Sequence, residues 1–79
     1  MTAKAFVLIE VAVGKTKDVV ATLQKVEGVK SVEAVTGPYD IIAVVEMPDV
    51  NAIGDLVTRN IHSVGGIART VTCLTVQLT

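Results

Sequence analysis

Midway along the chain the sequence reads Thr36-Gly37-Pro38-Tyr39-Asp40, and these five residues limit the fold more than any other stretch. Gly37 permits positive φ, Pro38 fixes its own φ, and Asp40 can bond back to backbone amides, a combination that specifies a tight turn. Both flanks read as strands, so the turn makes them an antiparallel hairpin. Upstream, Val29–Thr36 alternates with about half of its positions apolar, as a strand near a sheet edge does. Downstream, Asp40–Met47 carries the unbroken run Ile41-Ile42-Ala43-Val44-Val45 until Pro48 stops it.

Each side of the hairpin is extended by one helix and one further strand. Ala3 to Val13 is almost wholly apolar apart from Lys4 and Glu10 and is bounded by Gly14, the pattern of a strand buried on both faces. Thr16 is placed to cap a helix in which Val19, Val20, Leu23 and Val26 recur at helical spacing, and Gly28 is placed to end it. Beyond Pro48, Asp49 is a favourable cap for a second helix whose stripe of Val50, Ile53, Leu56, Val57 and Ile61 runs to about His62, before Gly65-Gly66 closes it. The last segment, Ile67–Leu78, alternates as a strand. The order βαββαβ is the split βαβ, or ferredoxin-like, arrangement: an α+β fold with a four-stranded antiparallel sheet and both helices on one face. We expect one domain over residues 1–79.

Size and composition then say what such a domain needs. Hydrophobic residues make up 51% of 79 residues while aromatics are only 3%, so the apolar mass is aliphatic and suits buried strands. Two helices cover one sheet face, yet three strands offer aliphatic residues to both, which leaves an apolar face for a second copy to cover. Face-to-face pairing of two sheets, of the dimeric α+β-barrel type, is the simplest closed solution. No apolar run reaches the roughly 18 residues of a membrane span, and no cleavage site follows the N-terminal apolar stretch, so the expectation is a cytoplasmic protein with no membrane partner. The net charge of −1, with scattered basic residues, offers nothing to neutralise a row of phosphates.

Candidate chemistry is sparse. Cys73 stands alone in an alternating apolar segment; it lacks the paired thiolates of a metal site and reads as a buried structural thiol. His62 sits at the predicted end of the second helix, where a donor near the last carbonyls is stabilising. Glu27, Glu33, Glu46 and Asp55 read as single solvated charges. Asp40 differs, because a short acid beside a Gly-Pro turn either bonds the turn or meets a ligand's ammonium group. We expect no catalytic residues, no cofactor and no metal.

Three spaced motifs carry a family resemblance: Glu27-Gly28-Val29, Thr36-Gly37-Pro38-Tyr39-Asp40, and Gly66-Ile67-Ala68-Arg69-Thr70-Val71-Thr72. In this order they resemble the effector-binding (RAM) domain of Lrp/AsnC transcriptional regulators, and the likeness covers nearly the whole chain. The resemblance implies a ferredoxin-like dimer, dimers joined into an octamer or similar ring, and an amino acid or similar small effector held between dimers. Carried over by position, it points to Gly37, Tyr39 and Asp40 of the turn and to Thr70 and Thr72 of the last strand as ligand-binding residues. Amides freed by a glycine turn can take a carboxylate, an Asp an α-ammonium, and a threonine hydroxyl either. The plainer readings are Tyr39 as an anchor under the hairpin and the threonines as strand formers. Family regulators carry an N-terminal helix-turn-helix, whereas this chain begins at the first strand, so the expectation is a stand-alone module with no direct nucleic-acid contact. It would sense effectors by itself or modulate full-length Lrp/AsnC regulators as partners. The main alternative is a dimeric α+β-barrel enzyme, an oxygenase or isomerase, for which only His62 and Tyr39 are available; an ACT-like regulatory domain is a third reading.

Overall fold

The computed structural model describes Thr2–Leu78. Its elements are β1 (Ala3–Val11), α1 (Thr16–Leu23), β2 (Val29–Ala34), β3 (Ile41–Met47), α2 (Val50–Leu56) continued by a π-helical turn (Val57–Ile61), and β4 (Ile67–Leu74). The strands form one antiparallel sheet in the order β2-β3-β1-β4, so the ferredoxin-like arrangement expected from the pattern is the one observed. β2 lies at an edge, in keeping with its half-polar sequence.

Strand alternation sets the two faces. Ala5, Val7 and Ile9 of β1 and Ile41, Ala43 and Val45 of β3 are fully buried beneath the helices, where they meet Val19 and Leu23 of α1 and Ile53, Leu56, Val57 and Ile61 of the second helical segment. The opposite face is a block of apolar side chains in register: Phe6 stands between Val44 and Cys73, and Leu8 between Ile42 and Val71. Phe6 is 37% exposed, so β1 is buried on one face only within the chain, not on both. For the same reason Cys73 is exposed rather than a buried thiol: its register partner is Phe6 on the open face, and no helix lies over it.

Helix ends depart from the sequence reading in instructive ways. Asp49 caps α2 as expected, its Oδ1 accepting the Ala52 amide at 2.8 Å. Thr16, by contrast, is the first helical residue; Lys15 occupies the cap position and makes no side-chain bond. α1 stops at Leu23, ahead of Gly28, as the Lys25 and Val26 amides tighten onto the Thr22 and Leu23 carbonyls three residues back. Gly28 instead delivers the chain into β2 at φ +97°, with Met47 Sδ only 2.7 Å from where a Cβ would stand. β4 ends at Leu74, short of Leu78, because Leu74 pairs with Ala5 near the start of β1; Thr75 then places both its amide and its hydroxyl on the Lys4 carbonyl, at 3.0 and 3.1 Å.

Candidate functional site

Two groups of residues gather around one end of the sheet. At the β2–β3 turn, Gly37 adopts φ +144° and Asp40 locks the hairpin to its neighbour. The Asp40 amide donates to the Ile9 carbonyl at 2.9 Å, its carbonyl accepts from Val35 at 2.9 Å, and its carboxylate Oδ2 accepts the Val11 amide at 2.9 Å. The side chain therefore takes the place of a ladder partner for β1 just where β3 has ended. Asp40→Ala should leave the part-buried Val11 N–H unpaired and cost about 1–3 kcal/mol, measured by urea denaturation, while Asp40→Asn, which keeps an acceptor oxygen, should recover most of that loss. A ligand assay on Asp40→Ala alone would therefore mix folding with binding, and the Asn variant is the informative one.

Tyr39 reaches across the open face. Its hydroxyl accepts from Arg69 Nη2 at 3.4 Å, and Arg69 Nε lies 3.4 Å from Glu10 Oε2, its register neighbour on β1. Tyr39 and then Glu10 favour the charged guanidinium and raise the Arg69 pKa further above its already high value. This chain of contacts is solvent-exposed, so it orients the three groups more than it stabilises the fold.

Thr70 and Thr72 lie on the other, helix-side face, opposite the buried Ile9 and Val7 of β1. Because β4 is an edge strand, the helices leave this edge partly open. Thr70 Oγ1 is 2.8 Å from His62 Nε2, and the two line a hollow of about 320 Å³ with Ile67, Ala68 and Arg69. Thr72 lines a second hollow of about 270 Å³ along the same edge, walled by α2 and roofless at Gly54, beside Thr58 and Leu74. A larger groove, about 580 Å³, lies between Lys25, Met47 and Arg59, and none of the five residues singled out in the sequence lines it.

The five ligand-binding candidates thus fall into a turn set (Gly37, Tyr39, Asp40) and a strand set (Thr70, Thr72). The two approach through Arg69, whose side chain meets Tyr39 and which also lines the Thr70 hollow. Sequence reasoning missed His62 as the partner of Thr70 and missed the Glu10–Arg69–Tyr39 chain altogether. His62 does stand at the end of the second helical segment, as expected, but its ring bonds a strand hydroxyl rather than a helix carbonyl. Both contacts depend on the β1–β4 register, which places Glu10 beside Arg69.

A ferredoxin-like sheet with a hairpin pinned at one end and hydroxyl-lined hollows along a free edge is the architecture of a small-molecule-binding regulatory domain family, as the comparison with known families shows. The chain belongs to the Lrp/AsnC ligand binding domain family, whose model matches residues 4–78. Among solved structures it is similar to TTHA0845 from Thermus thermophilus, with 35% identity, TM-score 0.91, and coverage of 98% of this chain and 96% of that one. FFRP-DM1 matches at 30% identity and TM-score 0.89, over 94% and 99% of the two chains. The transcriptional regulator NMB0573 of Neisseria meningitidis, solved as a complex with L-Met, matches in fold at 21% identity and TM-score 0.85, over 95% of this chain and 50% of that one. No curated protein sequence matches significantly. Family membership does not favour the α+β-barrel enzyme alternative.

Proposed function

We propose that this domain senses an amino acid or a closely similar small effector and answers by changing its assembly. The observation that carries this reading is the open β4 edge, where Thr70 and Thr72 line hollows that one chain leaves unroofed and a neighbouring copy would close. In this reading Gly37, Tyr39 and Asp40 form the rim: the second oxygen of Asp40 is offered to an ammonium, and the threonine hydroxyls of β4 to a carboxylate. The exposed apolar sheet face pairs two copies, sheet to sheet, and effector at the β4 edge joins such dimers into a ring, an octamer or similar. The L-Met complex of the Neisseria regulator supports an amino acid as the ligand class. The module acts in the cytoplasm, either as a homo-oligomer or by assembling with full-length Lrp/AsnC regulators, and so modulates transcription or amino-acid metabolism.

Light scattering of the pure protein with each of the twenty amino acids tests this directly, since a ligand held between copies favours the larger assembly by mass action. At least one amino acid should raise the molar mass, and Thr72→Val should blunt that response. A mass unchanged by all twenty at millimolar concentration would count against effector-driven assembly.

A further inference from the structure

We propose that His62 selects the charge of the ligand at the β4 edge: with Thr70 it forms an imidazole–hydroxyl pair that admits a carboxylate and couples its binding to the uptake of a proton. The inference rests on the reading of Thr70 as an effector contact, and it adds a residue and a regulation to that site.

Three features place His62 in this role. Its Nε2 stands 2.8 Å from Thr70 Oγ1, joining the end of the second helical segment to the edge strand β4. The π turn sets that position: the His62 amide donates to the Val57 carbonyl at 2.8 Å, five residues back, which keeps Ile61 fully buried while the next side chain reaches β4. Such turns give up ideal hydrogen-bond geometry and recur at functional sites. Finally, the hollow of about 320 Å³ that the pair lines is bounded by His62, Ile67, Ala68, Arg69 and Thr70, with no acidic residue among them. Arg69 of β4 is itself engaged by Tyr39 and by Glu10 of β1, and Arg59, on the π turn, lines a different groove. The basic side chain left to the hollow is therefore the imidazole.

The hydrogen-bond inventory gives the direction of the coupling. A neutral imidazole can either donate to the Thr70 oxygen or accept from its hydroxyl. A protonated one carries N–H on both nitrogens, so Nε2 must donate to Oγ1, and the Thr70 hydroxyl proton is freed for an outside acceptor. A ligand carboxylate is such an acceptor and is drawn further by the imidazolium, whereas an ammonium group meets like charge there. Carboxylate binding thus favours the protonated ring, and affinity falls as pH rises.

The test is calorimetric titration of the twenty L-amino acids at about pH 5.5, 6.5 and 7.5, in two buffers of different ionisation enthalpy, with the C-terminal amide of any binder as a control. Wild type should lose affinity by up to about tenfold across this range, take up protons on binding, and reject the amide. His62→Gln, whose side-chain amide can still donate to Thr70, should bind with a flat pH profile, and His62→Ala should bind weakly throughout. His62 is exposed, so circular dichroism should show both variants folded. Matching pH profiles in wild type and His62→Gln would overturn this inference while leaving effector sensing intact. Absence of binding by any amino acid at any pH would remove both.

Discussion

Val44→Glu should leave the folded chain intact and abolish the proposed sheet-to-sheet pairing. Val44 stands on the open sheet face, beside Phe6 in register, with its chain neighbours Val45 and Ala43 turned into the helix-covered core. Within one chain the new carboxylate would point to solvent and cost little. Between two packed sheets it would be buried without a partner, which costs several kcal/mol per charge, so the dissociation constant should rise by roughly a thousandfold or more. Analytical ultracentrifugation across a concentration series measures this. Cys73 supplies an internal reporter, because it lies on the same face and is exposed in the single chain. Its alkylation should be slow in concentrated wild type and fast on dilution or in Val44→Glu. A variant that still pairs, with Cys73 equally protected, would move the interface to another surface.

Ile9→Ala should produce the largest loss of stability of any single truncation in β1. Ile9 is fully buried on the inner strand β1, its backbone flanked by Ile41 on β3 and Thr70 on β4, and its carbonyl holds the Asp40 amide. Removing three buried carbons and leaving a cavity costs about 2–5 kcal/mol. A 79-residue domain has a reserve of only about 4–12 kcal/mol, so the variant should be close to its unfolding threshold at ambient temperature. Val13, which is fully exposed, gives the contrast: Val13→Ala should stay within about 0.5 kcal/mol of wild type in the same urea titration. A ligand that binds only the folded chain should, at saturating concentration, recover part of the Ile9→Ala loss by mass action.

The fold was legible because period and punctuation survive in a single sequence. The turn at Thr36–Asp40, the cap at Asp49 and the alternation of β3 each carry a local physical signal, and together they leave one topology. What depends on pairing was not legible. Cys73 alternates as a strand residue should, but whether its side of β4 meets helices or lies open is decided by its register against Phe6. The same register brings Glu10 to Arg69, and the π turn that lets His62 meet Thr70 has no signature in the spacing of Val57 and Ile61. Gly28 shows the opposite error: a glycine after a helical run reads as its stop, when the close approach of Met47 and Leu56 to the β2 entry is what requires it. Of the site, the turn and strand positions follow from motif resemblance. The hydrogen bonds that make Asp40 a structural residue emerge only with the folded chain.

The most direct test of the sensing account is equilibrium binding of the twenty amino acids to the wild-type protein, read as saturable heat by calorimetry and repeated with Thr72→Val. The account predicts at least one saturable ligand whose affinity falls about tenfold when the Thr72 hydroxyl is replaced by a methyl group, with the fold unchanged. Saturable binding that ignores Thr72, or no heat from any of the twenty at millimolar concentration, would contradict it.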